Sequence, residues 1–190
     1  MQTSDSIVII PTYNERENIE NIIRAVFALE KVFHILIIED GSPDGTANIV
    51  KTLQQEFPER LFMIERKGKL GLGTAYIAGF KWSLEHNYEY IFEMDADFSH
   101  NPADLPRLYK ACAEEGADVS IGSRYVSGVN VVNWPMGRVL MSYLPPSMYA
   151  SSPDCRYMIR PPALSATVVR YCRQSIWMVS ASKVMPSRLK

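Results

Sequence analysis

SIVIIPTYNERENIENIIRAVFALEKVFHILIIEDGSPDGT, residues 6–46, is the stretch on which the fold turns. Two short apolar, β-branched runs, Ile7–Ile10 and Phe33–Ile38, read as buried strands. Between them, Glu17–Leu29 carries Ile19, Ile22, Ile23, Val26 and Phe27 at the spacing of one helix face. The alternation continues outward along the chain. Asp44–Phe57 reads as a helix opened by the turn GSPDGT, Phe62–Glu65 as a third strand, Gly73–His86 as a helix and Tyr90–Met94 as a fourth strand ending in acids. Pro102–Glu115 is helical, with Pro102 in the first turn and Asn101 as its cap, and Asp118–Gly122 is a fifth strand. Strand and helix alternating in this way predict an α/β fold, a mostly parallel, Rossmann-like sheet with helices on both faces. Ligands of such sheets sit beyond the carboxyl ends of the strands, where the polar motifs of this sequence fall.

At 190 residues, 47% hydrophobic and 22% charged, the chain has the balance of one domain with a substantial core. A formal net charge of -1 argues against a nucleic-acid binder that works by broad phosphate neutralisation, so an anionic ligand needs a focused site. Cys112, Cys155 and Cys172 form no C-x-x-C pair, which points away from zinc and disulfide frameworks and toward a reducing, cytoplasmic setting. The N-terminus lacks the basic leader and cleavage site of a signal peptide, and no run approaches the roughly 20 apolar residues of a membrane span. Any membrane association is therefore expected to be peripheral.

The first strand runs into Pro11-Thr12-Tyr13-Asn14-Glu15, where proline is expected to stop the ladder and Tyr13 offers a flat ring to a base. The second ends in Glu39-Asp40. Asp40 is placed either to accept hydrogen bonds from a ribose or base edge or only to satisfy turn amides. Arg66-Lys67-Gly68-Lys69-Leu70-Gly71-Leu72-Gly73 is a basic, glycine-rich approach to a helix N-terminus, a place that attracts phosphate, although it lacks P-loop spacing and solvated turn chemistry would also explain it. The strongest local signal is Asp95-Ala96-Asp97 at the end of the fourth strand. Two carboxylates so close are unfavourable unless something positive lies between them, and such a pair can share one hard divalent cation with phosphate oxygens and water. A helix cap or structural calcium site is the alternative. Arg124 and Arg138 follow the fifth strand and could offset charge on a leaving group, or form surface ion pairs.

Taken together, PTYNERENI, IIEDGSPDGT, GKLGLGTAYIAGF, EMDADFSHNPADL, ADVSIGSRYVSG and NWPMGR resemble, in order and spacing, the family 2 glycosyltransferases of the dolichol-phosphate (polyprenol-phosphate) mannosyltransferase type. The likeness covers residues 7 to about 143 and implies a GT-A fold. It implies that Pro11, Tyr13, Glu15, Ile38 and Asp40 form the nucleotide pocket, with Lys69 and Ala96 beside the donor. Asp97 would be the metal ligand and Asp95 would lie mainly on the sugar-nucleotide side, also within reach of the metal. Ser99 stands where some relatives carry glutamine, so the third ligand is Ser99 or a water. Arg124 and Arg138 would face the diphosphate and the acceptor phosphate. The implied reaction is inverting transfer of a sugar, mannose from GDP-mannose rather than glucose from UDP-glucose, to a polyprenyl phosphate at the inner membrane face. Mg2+ or Mn2+ would stabilise the departing diphosphate, and an acceptor that is already anionic needs no strong base. The alternatives are a receiver-like signalling module, with Asp40 as phosphoacceptor, and a non-catalytic nucleotide-binding domain.

The likeness ends at Tyr143. Residues 144–190 hold six of the twelve prolines, no glutamate and one aspartate, Asp154, with no sustained periodicity. The family would continue there with segments like HDTTAGF and GYAFQIE. Codons chosen for this tail encode both segments, in order, when read one nucleotide out of frame. The expectation is a domain at residues 1–143 followed by an out-of-frame, poorly packed tail at 144–190. The acceptor side would then be truncated, donor binding weakened and transfer lost or nearly so.

Overall fold

The computed structural model describes residues 4–123 and 164–170. In chain order the elements are β1 (Ser6–Thr12), α1 (Ile19–Phe27), β2 (His34–Glu39), α2 (Thr46–Glu56), β3 (Leu61–Glu65), α3 (Leu72–Glu85), β4 (Tyr90–Glu93), a 3-10 turn (Pro102–Asp104), α4 (Leu105–Ala113), β5 (Val119–Ser123) and β6 (Leu164–Arg170). Each element expected up to residue 123 is present within a few residues of its predicted bounds. Asn101 caps as expected, its side chain accepting from the Ala103 N–H at 3.1 Å, but the first turn behind it is 3-10 rather than α.

The sheet order is β3-β2-β1-β4-β6-β5. β1 pairs parallel with β2 and β4, and β2 pairs parallel with β3. β6 lies antiparallel between β4 and β5. No strand was expected at Leu164–Arg170, in the stretch read as an out-of-frame tail, although Thr167, Val168 and Val169 are residues that favour a pleated strand.

Pro11 does not end the ladder. β1 continues through Pro11 and Thr12, opposite Ile38 and Glu39 of β2. Backbone groups alternate sides along a strand. The Ile9 carbonyl accepts from Met94 on the β4 side, and the Thr12 carbonyl accepts from Asp40 on the β2 side. Pro11 therefore turns its missing N–H toward β4, whose pairing with β1 has already stopped at Ile9.

The period of two sorts the core. Val8, Ile10, Ile35, Ile37 and Phe92 face the apolar sides of α1, α2 and α4, including Ile22, Ile23, Val50 and Leu108. Ile7, Ile9, Leu36, Ile38 and Ile91 face α3 through Ala75, Tyr76 and Phe80. Helices thus cover both faces, and all of Ile7–Ile10 is fully buried. Each such side chain contributes roughly 1.5–3 kcal/mol by leaving water. α3 lies so close to β1 that a Cβ built at Gly79 would stand 2.6 Å from Ile9 Cγ2.

Candidate functional site

The chain leaves β1 toward β2 and β3 on one side, and returns through α3 to β4 on the other. The carboxyl ends of β1 and β4 are therefore the point where the strand order reverses, the place where a crevice opens in a doubly wound sheet. Four loops meet at that edge: those after β1, β2, β3 and β4.

On the β1 side, Tyr13 is 37% exposed, and the Lys69 ammonium lies 4.5 Å from its ring centroid. The structure thus joins two residues singled out separately in the sequence. Glu15 opens α1, its carbonyl accepting from the Asn18 and Ile19 N–H groups and its carboxylate from Asn18 Nδ2 at 3.2 Å. Pro11 is partly buried, and Ile38 is fully buried under α3.

After β2, the two acids divide the work differently from the sequence expectation. Glu39, which that reading passed over, satisfies the turn: its carboxylate accepts from Gly41 N at 2.9 Å and Ser42 N at 2.6 Å. Asp40 is gripped by Arg66 instead, Nε to Oδ1 at 2.5 Å and Nη2 to Oδ2 at 2.6 Å. The side chains of Arg66 and Asp40 are 9% and 8% exposed. Arg66 Nη1 also donates to Thr74 Oγ1 at 2.8 Å, tying the pair to the first turn of α3. A signal for this pair does exist in the sequence. β2 and β3 run parallel with Glu39 opposite Glu65, so the next residues, Asp40 and Arg66, are neighbours. With both oxygens engaged, Asp40 is not poised as a phosphoacceptor, which argues against the receiver-like alternative. The two loops touch at Gly41, whose φ of +71° suits glycine and whose Cβ would meet the Gly68 Cα at 3.1 Å.

After β4, alternation directs Glu93 and Asp95 toward α3. Asp95 Oδ1 accepts from the Tyr76 hydroxyl at 3.1 Å. The Asp95 main-chain N–H donates to His100 Nδ1 at 3.1 Å, and His100 Nε2 stands 3.7 Å from Asp95 Oδ2. Ala96 is buried in the core between the two acids. Asp97 Oδ1 accepts from the Ser99 N–H at 2.9 Å. Burial alone would raise the Asp97 carboxyl, but hydrogen bonds from the Ser99 hydroxyl and N–H outweigh it and hold the group below its ordinary range. Ser99 thus turns its polar groups to Asp97. Between them, Phe98 adopts φ +57° and is 43% exposed, a strained conformation for a bulky residue, of the kind that clusters at functional loops.

Two further groups were not singled out in the sequence. Burial, then the charges of Asp95 and Glu93, push the Tyr76 phenol well above its usual range, so it remains a donor. Burial and the neighbouring Asp95 charge push Glu93 up to about 7. Arg124 and Arg138 lie outside the described residues, as does almost all of the segment 144–190. A surface depression lined by Ser4, Asp5, Lys31 and Val32 lies at the opposite, amino end of the sheet. Asp5 is already engaged there by Lys31 at 2.9 Å and Tyr109 at 2.9 Å.

The described residues contain no group of three or more His, Cys, Asp or Glu side chains arranged to hold a metal by themselves. The acids after β4 nevertheless fit a hard cation as a partial set. They offer carboxylate oxygens, Asp97 is kept ionised, and His100 is near enough to act electrostatically on both. A site of this kind leaves coordination positions for phosphate oxygens and water.

The profile of the family described as Glycosyl transferase family 2 matches residues 7–171. The chain is 49% identical over 140 residues to the polyprenol monophosphomannose synthase of Mycolicibacterium smegmatis, covering 74% of this chain and 52% of that protein. Against the undecaprenyl-phosphate mannosyltransferase of Micrococcus luteus it is 44% identical over 137 residues, 72% of this chain and 55% of the relative. Against the dolichol-phosphate mannosyltransferase of Pyrococcus furiosus it is 42% identical over 137 residues, 71% and 37%. The chain therefore spans about half the length of the first two relatives and less of the third. Among solved structures, the mannosyltransferase PcManGT from Pyrobaculum calidifontis, in complex with GDP-Man and Mn2+, superposes with a TM-score of 0.51 at 24% identity, over 60% of this chain and 34% of that one. TarS of S. aureus, residues 1–349, superposes with a TM-score of 0.53 at 22% identity, over 68% and 37%. These two likenesses establish the shared fold.

Proposed function

Because this chain belongs to glycosyl transferase family 2, we propose that it is the donor-binding part of an inverting, metal-dependent transferase that moves a sugar from a nucleoside diphosphate to a polyprenyl phosphate. The supporting observation is the position of an ionised aspartate, Asp97, and an anchored one, Asp95, at the β1/β4 switch point, with the Tyr13 ring on the β1 side of the same edge. The relatives are named for transfer of mannose to polyprenol or dolichol phosphate, which supports a mannose donor, GDP-mannose, over UDP-glucose for this chain.

The base stacks on Tyr13, in a pocket whose walls are Pro11 and Glu15 and whose floor is the Asp40–Arg66 pair, with Ile38 supporting that floor from the core. Arg66 fixes Asp40 in one rotamer, so its outward edge is presented to the nucleoside without reorganisation. Lys69, over the Tyr13 ring, adds positive charge near the phosphates. Asp97 is the direct ligand for Mg2+ or Mn2+, Asp95 lies on the sugar side, and Ser99 keeps Asp97 charged and aimed. The cation supplies charge neutralisation for the departing diphosphate. Arg124 and Arg138, assigned by their motifs, face the diphosphate and the acceptor phosphate. The acceptor is already an anion, so no side chain need act as a strong general base.

No helix among the described residues is long and apolar enough to cross a membrane. The chain is assigned to the cytoplasmic face, meeting its lipid acceptor peripherally. Residues 144–190 are assigned to a displaced reading frame, with transfer activity lost and donor binding retained in weakened form. The nucleotide sequence around codon 144 tests that assignment: codons there that do not encode the family segments in the displaced frame rule it out.

Calorimetric titration with GDP-mannose and with UDP-glucose, each in Mn2+ and in EDTA, tests the donor assignment. Binding that requires the metal and prefers GDP-mannose is expected. Binding indifferent to metal would return the chain to the class of non-catalytic nucleotide-binding domains.

A further inference from the structure

We infer that Tyr76 and His100 are positioning residues that fix the Asp95 carboxylate before any ligand arrives, leaving Asp97 as the acid free to coordinate metal. The inference rests on the donor-site reading above and adds two residues that neither the motifs nor the family assignment supplied.

Three contacts converge on Asp95 from two directions. From α3, the Tyr76 hydroxyl donates to Oδ1 at 3.1 Å. From the far end of the loop, His100 accepts the Asp95 main-chain N–H at Nδ1, 3.1 Å away. A ring nitrogen that accepts carries the lone pair, so the neutral ring holds its proton on Nε2. That Nε2 faces Asp95 Oδ2 at 3.7 Å. The distance is too long for a hydrogen bond but places the positive end of the N–H dipole toward the carboxylate. One histidine thus steadies both the backbone and the side chain of the same aspartate. The ring can do so because it is 8% exposed and held in the loop's interior.

Folding alone does not account for the arrangement. The Asp95 side chain is 42% exposed, and a carboxylate so open to water contributes little to stability through its pairings. Burying a phenol and an imidazole beneath it is costly unless each finds a partner, and both find it in the same residue. What the contacts secure is orientation: a carboxylate held in one rotamer needs no rearrangement when charge arrives or develops beside it. The same contacts account for unlike roles within one DAD loop. Asp95 is anchored through Tyr76 and His100, whereas the contacts of Asp97 come from Ser99, within its own turn.

The test uses the 190-residue chain and calorimetric titration of GDP-mannose in Mn2+ and in EDTA, with unfolding midpoints recorded for every variant. Tyr76→Phe keeps the ring and removes the donor. It is expected to weaken Mn2+-dependent binding roughly tenfold, the low end for one hydrogen bond to a charged group and in keeping with an acceptor open to water, and to leave metal-free nucleotide binding unchanged. His100→Asn can keep an acceptor for the Asp95 N–H but lacks the Nε2–H, and should fall between wild type and His100→Ala. In an Asp95→Ala background, which removes the oxygen that accepts from Tyr76, Tyr76→Phe should cost nothing further. Metal-dependent binding by wild type that Tyr76→Phe and His100→Asn leave unchanged, or a Tyr76→Phe loss that adds in full to that of Asp95→Ala, would overturn the positioning role alone. Wild type lacking metal-dependent binding would overturn the donor-site reading, and the positioning role with it.

Discussion

Substituting alanine for Gly79 should destabilise this protein, although the same change in most helix interiors would stabilise it. Helix propensity favours alanine over glycine by about 0.8–1 kcal/mol. At Gly79 the added Cβ would stand 2.6 Å from Ile9 Cγ2 and 2.9 Å from Ile9 Cδ1, against roughly 3.5–4.0 Å for a relaxed carbon contact. Ile9 is fully buried on the central strand, between β2 and β4, and has little room to yield. Either α3 retreats by about 1 Å or Ile9 leaves its rotamer, a strain of about 1–3 kcal/mol for overpacking. The clash should win, for a net loss on the order of 1 kcal/mol. Gly73 supplies the contrast: it lies in the first turn of the same helix with nothing within 4 Å of its Cβ position, so Gly73→Ala should gain about 0.5 kcal/mol. Urea unfolding, with the m-value checked for constancy, reads both. Shortening the partner, Ile9→Ala, should make the Gly79→Ala change harmless or favourable. A Gly79→Ala midpoint above that of wild type would refute the close approach of α3 to β1.

Two other perturbations follow from the site. Arg66→Met would leave Asp40 buried without its partner and should cost about 3–5 kcal/mol in urea unfolding, with Asp40→Asn in the same background restoring part of it. Glu93, pushed up to about 7 in the fold, makes stability fall as pH rises. Below about pH 4.5 both states hold the proton, between 4.5 and 7 only the folded state does, and above 7 neither does. In chelator, wild type should therefore lose up to roughly 3 kcal/mol across that window, while Glu93→Gln stays flat across it and is the more stable protein above pH 7. A Glu93→Gln profile parallel to wild type would show that another group titrates.

Strands and helices up to residue 123 were legible in the sequence because the helices repeat their apolar residues near 3.6 and the central strands are short, β-branched apolar runs buried on both faces. The gathering of the polar motifs at the carboxyl ends of the strands was legible for the same reason. What was not legible came from pairings between elements. Pro11 looks like a strand terminator until the register shows that its missing N–H faces a neighbour that has ended. Asp40 looks like a free ligand or a turn residue until β3 brings Arg66 beside it. Tyr76 and His100 stand inside longer motifs without marking themselves, because nothing in a helical tyrosine or a loop histidine announces a shared partner. β6 escaped because its run, Leu164–Arg170, stands in a stretch without periodicity on either side.

The most direct test is a crystal of this chain grown with Mn2+ and GDP-mannose, with anomalous diffraction used to locate manganese. One strong peak is expected in coordination contact with Asp97, with the donor's diphosphate on its other side and the base against Tyr13. Manganese and nucleotide bound elsewhere, with Asp97 touching neither, would contradict the Asp97 assignment.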